Sequence, residues 1–154
     1  MGLDSYLTKK TYIGANYEHR NVKGKINITI EGKPVKIDFS KISYIEEQVG
    51  YWRKANAIHK WFVENCQGGV DDCGQYSVNH EQLKELHSIC QKVLKTKGNK
   101  KLAKELLDTQ DGFFFGGTDM DEYYYLDIEY TADMIFKALL TSEQYSEFYY
   151  QASW

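Results

Sequence analysis

The side chains best suited to chemistry crowd into one run, Gly50 to Cys66 (GYWRKANAIHKWFVENC), the densest mixture of aromatic, cationic and amide groups in the chain. Arg53, Lys54 and Lys60 can offset phosphate charge, the rings of Trp61 or Tyr51 can stack on a base, and Asn56 or Asn65 can read a base edge. Placed on a helix at ~100° per residue, the run divides into two arcs. Trp52, Ala55, Ile58, His59, Phe62, Val63 and Cys66 share the apolar arc. Arg53, Lys54, Ala57, Lys60, Glu64 and Asn65 share the polar one, with Trp61 in its middle. Two readings of Trp61 are open: a flat stacking platform with a cation and an amide beside it, or a ring covered by another segment or by lysine stems. His59 reads either as a hydrogen-bonded core histidine or as the floor of a pocket.

Other constellations are weaker. His59, Cys66, Cys73, His80 and His87 recur every seven residues, but only His87 and Cys90 have the short spacing that zinc sites use. No metal site and no cofactor are therefore expected. Cys73 follows Asp71 and Asp72, whose charge opposes thiolate formation. Carboxylate pairs at Asp71/Asp72 and Asp119/Asp121 could hold a divalent cation, but a turn and a helix start explain them as well. GFFFGG lacks the GK[ST] ending of a phosphate loop. With no triad and no metal signature, a hydrolase or transferase ranks behind a binding protein.

The elements that must position these groups follow from pattern. A chain of 154 residues suggests one domain, residues 1–154, with a substantial core. Residues 3–13 read as a strand with a polar turn after Gly14. Lys25–Phe39 reads as a hairpin, with Ile26, Ile28 and Ile30 alternating on one arm and Val35, Ile37 and Phe39 on the other. Ile42–Val49 reads as a short strand or turn leading into the central helix. Gln75–Val78 suits a short strand. Asn79 with Gln82 predicts a capping box ahead of the stripe Leu83, Leu86, Cys90, Val93 and Leu94. A shorter helix carries Leu102, Leu106 and Leu107. Phe113–Gly117 reads as a buried strand ended by glycines. Asp119 or Asp121 starts a long helix through Leu139, with a strand over Tyr123–Ile128 as the alternative, and Phe148–Trp154 alternates as a closing strand. The expected class is α+β: a small mixed sheet, from the N-terminal hairpin and C-terminal strands, packed on three or four helices.

Composition narrows the setting. Thirteen tyrosines and an aromatic fraction of 15% favour a contact surface. Six lysines between Lys92 and Lys104, against ten acids and one lysine from Asp108 onward, give the net charge of −3 a marked asymmetry. No apolar run reaches the ~18 residues of a membrane span. Three cysteines and no signal-peptide core point to reduced thiols in a cytoplasm.

The opening MGLDSYL, the block YWRKANAIHKWFVEN, the GVDDC after it, the GFFFG segment and the ending FYYQASW resemble a group of small, uncharacterised proteins encoded by bacteriophages and prophages. The resemblance covers most of the chain. It implies a viral accessory protein acting in the host bacterial cytoplasm, an anti-defence role by analogy of genome context, and no assigned catalytic residues. Two functions are then expected. The first is a non-enzymatic protein that binds and sequesters a nucleotide-like small-molecule signal. The second is an acidic, tyrosine-rich inhibitor that imitates nucleic acid on a host defence protein. Sequestration needs a second wall beyond the central run, from Tyr123–Tyr125 or from another copy in a homo-oligomer.

Overall fold

The computed structural model describes residues 2–14 and 26–154. The polar turn expected after Gly14 lies outside them, as does Lys25. The first strand, β1 (Asp4–Tyr12), forms as its alternation requires. The hairpin is shorter than the pattern suggested: only β2 (Ile28–Ile30) and β3 (Lys33–Val35) pair. It is also a separate two-stranded sheet whose residues are all exposed, so it adds nothing to the main sheet. Its arms are too short to carry an apolar face of useful area.

The main sheet is completed by β4 (Tyr44–Arg53), β5 (Gln75–Val78) and β6 (Ser146–Ser153), in the order β4-β1-β6-β5. All three pairings are antiparallel, so the sheet is not mixed. The two ends of the sequence are thus the two inner strands. On one face, Leu7, Trp52, Phe148, Tyr150 and Ala152 are buried. Tyr6, Tyr51 and Tyr149 lie on the other face. This alternation is what a sheet covered on one side demands.

The helices are α1 (Asn56–Cys66), α2 (His80–Lys95), α3 (Lys100–Leu106) and α4 (Glu122–Leu140). The α+β class expected from pattern is the class observed. The Asn79–Gln82 capping box forms, with bonds of 2.8 and 2.9 Å. Behind it Leu83, Leu86, Cys90 and Val93 are fully buried against the core. Asp121 caps α4 by accepting from the N–H groups of Tyr123 and Tyr124. Between α1 and the sheet, the rings of Phe62 and Tyr150 stack at 3.9 Å. α4 approaches β4 so closely at Gly50 that a Cβ there would stand 2.9 Å from the Met134 Cε.

Two local expectations fail. The central run is not one helix. Tyr44–Arg53 is a ten-residue strand because its backbone pairs along the whole of β1. α1 starts only at Asn56, after Lys54 takes a left-handed turn at φ 59°. The segment 113–117 is not a strand either. Phe113 is 95% exposed, Phe115 is buried, and Phe115 N–H closes a turn onto Gly112 O. Its link to the sheet is the bond from Leu3 N–H to Phe114 O.

The three cysteines are free, with Cys73 exposed, Cys90 buried and Cys66 half-buried. Burial pushes the Cys66 thiol up to about 12, with Glu85 adding to it, and burial does the same for Cys90. Alkylation requires the thiolate. Iodoacetamide at pH 8 without reductant should therefore label Cys73 alone in the native protein and all three cysteines after denaturation. Intact mass measures both, and three rapid labels on the native protein would contradict this packing.

Candidate functional site

The chain passes from β4 to α1 through Lys54, and its neighbours make a cavity of about 310 Å³. Arg53, Lys54 and the first turn of α1 (Ala55–Ile58) form one wall. Gly116 and Gly117, with Thr109 and Asp119, form a second. The start of α4, with Asp121, Tyr123, Tyr124, Asp127 and Ile128, closes the third.

Sequence explains the first wall. A non-glycine residue in the left-handed region is uncommon and costs about 1–2 kcal/mol, and Lys54 occupies it. Its backbone is held on both sides, with N–H donating to Leu3 O at 2.7 Å and C=O accepting from Asn56 N–H at 2.9 Å. Its stem passes close to Gly2 and Gly116, where added Cβ atoms would stand 3.3 and 3.2 Å away. Lys54's ammonium has no ion-pair partner among the described residues, and Arg53 has only Asp4 at 3.8 Å. Ala55 is the N-cap of α1 and supplies no side-chain acceptor; the first turn of α1 holds no acid. The N–H groups of Ala57 and Ile58 accordingly have no acceptor among the described residues. Lys54 beside an uncapped helix start could hold an anion, whereas the Arg53 guanidinium is turned to Asp4 beside Tyr51 on the outer face of the sheet.

Asn56 builds the second wall rather than reading a ligand. Its amide donates to Phe115 O at 3.0 Å and Gly117 O at 2.8 Å, and its oxygen accepts from Gln110 N–H at 3.2 Å. Those bonds fix the loop that sequence pattern misread as a strand.

The third wall carries the acids. Asp121 is occupied as the helix cap. Asp127 is half-buried, and its carboxyl has neither a hydrogen-bond donor nor an ion-pair partner among the described residues. Burial, with Asp121 nearby, pushes it up to about 6. Tyr123, 76% exposed, lies at the opening, and Tyr124 donates to Leu107 O. Of Tyr123–Tyr125, named as one source of a second wall, Tyr123 and Tyr124 line the cavity. Tyr125 turns into the core instead.

Of the eight expected ligand contacts, Arg53, Lys54 and Asn56 line this cavity; Tyr51, His59, Lys60, Trp61 and Asn65 do not. Trp61 is 5% exposed, which overturns its reading as a stacking platform. α1 is packed against α2, α4 and β5, so its buried surface extends well beyond one arc. Tyr51 lies on the outer face of the sheet, its hydroxyl donating to Asp4. Lys60 pairs with Asp108 at 3.3 Å, and the Asn65 amide donates to Trp61 O within its own helix. His59 is fully buried and is a core histidine, not a pocket floor. Its Nε2 bonds Asp71 at 3.0 Å and its Nδ1 bonds the Tyr150 hydroxyl at 2.8 Å. The carboxylate accepts, so Nε2 carries the proton and the Tyr150 hydroxyl donates to Nδ1. Asp127 was missed because its signal, an acid among apolar neighbours on a helix, acquires meaning only beside Lys54. Among the described residues no group of His, Cys, Asp or Glu is placed to share a metal ion.

Two outcomes follow. Trp61→Ala should destabilise the protein by about 3–5 kcal/mol, the range for deleting a buried aromatic, as read by urea unfolding. Burial lowers the His59 pKa, against the opposing pull of Asp71. Its contribution to stability is therefore full above its ordinary value of 6.5 and is lost as pH falls below that towards the depressed folded value. Asp127, raised, works the other way: its contribution is full below its ordinary 3.8 and lost as pH rises through about 6. Stability should fall between pH 7 and 5, and more steeply in Asp127→Asn, where the compensating gain is gone. Equal slopes in the two proteins would remove Asp127 from this balance.

The chain matches no protein-family model, no curated protein and no solved structure.

Proposed function

We propose that this is a non-enzymatic binding protein that sequesters a nucleotide-like small molecule in the cavity between β4, α1 and α4. The observation that carries the reading is the wall suited to an anion: Lys54, with no ion-pair partner among the described residues, and the uncapped start of α1 line one cavity. A phosphate is a ligand group that uses a cation and backbone N–H donors together. Tyr123, at the opening, replaces Trp61 and Tyr51 as the ring available to stack on a base. The left-handed Lys54 adds support, since backbone strain of this kind gathers at ligand clamps. The resemblance to small phage-encoded proteins supplies the setting: an accessory protein in the host bacterial cytoplasm that withdraws a signal from a defence system. No helix among the described residues is long and apolar enough to cross a membrane.

The nucleic-acid-mimic reading is less well supported. Mimicry needs carboxylates free to face a basic groove. Asp121 caps a helix, Asp133 pairs with Lys137, and Asp127 sits inside the cavity.

Lys54→Gly separates ligand binding from folding. Glycine takes the left-handed conformation without penalty, so the thermal midpoint should hold or rise. Loss of a charge-assisted bond of ~1.5–3 kcal/mol should weaken mononucleotide binding at least ~10-fold by calorimetry. Unchanged affinity would refute the assignment of this wall. Small molecules released by denaturing protein from phage-infected cells should be chemically intact in mass spectra; a cleaved product would make the protein an enzyme.

A further inference from the structure

Resting on that reading, we infer that Asp127 selects the base, and that the base it selects is guanine. The cavity has two chemically distinct walls. Lys54 and the start of α1 suit an anion, while Asp127, on α4, offers an acceptor with no partner among the described residues. A ligand that satisfies both must carry a phosphate and, at its other end, hydrogen-bond donors.

A carboxylate only accepts. Guanine presents two adjacent donors, N1–H and the N2 amino group, which match its two oxygens in a bidentate pair. Adenine presents one amino group beside the acceptor N1, and cytosine one beside N3, so each sets a lone pair against the carboxylate. Uracil offers N3–H flanked by two carbonyl oxygens. A half-buried carboxylate left facing an acceptor is penalised, which is how such a site rejects the wrong base.

The charged groups that line this cavity with Asp127 are Asp119, Asp121, Lys54 and Arg53, the last paired with Asp4, together with the phenols of Tyr123 and Tyr124. Asp127 is pushed up to about 6. Near pH 7.5 it is therefore mostly the acceptor that guanine needs. Near pH 5 it is mostly protonated and presents a donor beside an acceptor, the pattern that adenine and cytosine match. Guanine selectivity should be present above about pH 6 and fade below it.

The test is calorimetric titration of the full chain with guanosine, inosine and adenosine 5′-monophosphates (GMP, IMP and AMP) at pH 7.5 and 5.0. The phosphate is common to all three, so its own titration cancels in affinity ratios. At pH 7.5 GMP should bind at least ~10-fold more tightly than AMP, the discrimination of one good bidentate contact. IMP, lacking the amino group, should fall between them. The GMP/AMP ratio should shrink at pH 5.0, and Asp127→Asn should abolish it at pH 7.5 while AMP still binds. If that variant does not fold, the pH dependence of the wild-type ratio carries the test. Equal binding of GMP and AMP, or a preference for AMP, overturns the inference and leaves the phosphate wall standing. A GMP preference that persists in Asp127→Asn, or is unchanged at pH 5.0, removes Asp127 from the selection. No binding of any of the three overturns the nucleotide reading itself, and this inference with it.

Discussion

The buried amide of Asn56 is the interaction on which the candidate site depends. It sits at the first position of α1 and makes three hydrogen bonds to the loop that precedes α4. A buried primary amide is stable only when its polar atoms are paired, and unpaired it would cost about 1–3 kcal/mol per group. The partners are backbone atoms of Gln110, Phe115 and Gly117, so satisfying one side chain fixes the path of eight residues. Gly116, the neighbour of Gly117, then faces Lys54. Gly116 is required there twice over: its φ is 86°, and a Cβ would stand 3.2 Å from the Lys54 Cβ. One satisfied amide thus ties this wall of the cavity to the start of α1.

His59 applies the same logic one helical turn later. Asp71 links it to Gln110, whose amide donates to the second carboxylate oxygen at 3.0 Å. The network therefore joins α1, β6, the loop after α1 and the loop before α4. It is enclosed by Phe115 and Trp154, whose rings lie 5.2 and 5.5 Å from the imidazole. Removal from water keeps the imidazole neutral and the network fully directional. These groups resemble an acid–base relay in composition, yet none of His59, Asp71 and Tyr150 lines the cavity. Their role is to hold its walls together.

The cavity combines opposite charges without pairing them. Lys54 and Asp127 line the same space but make no ion pair. Two opposed groups that do not neutralise each other remain available to a ligand with complementary ends. This polarity favours a small molecule with an anionic end and a donor end over an extended polyanion, which would meet the aspartates of the α4 wall unfavourably.

Much of the architecture was legible in the sequence because it rests on local or periodic signals. Alternation in residues 3–13 and 148–154, the Asn79–Gln82 cap, the stripe on α2 and the acid at the start of α4 each act through neighbours within a few positions. The importance of the stretch around Lys54 was also legible from its composition. Which of its residues face a ligand was not. The helical projection placed Trp61 on a polar arc, and only the tertiary packing around α1 decided that this residue is covered. Strand pairing with β1 decided that Tyr51–Arg53 belong to a sheet, which moved Tyr51 to the opposite face. Asn56 and His59 were visible as polar side chains, but their partners lie as far as 91 positions away. Asp127 was visible only as one acid among ten in the last third of the chain. Where it is strong, local periodicity marks which residues form an element, as in β1, α2 and β6. Which side of that element stays open is set by what the distant chain lays against it, and that is a property of the tertiary structure alone.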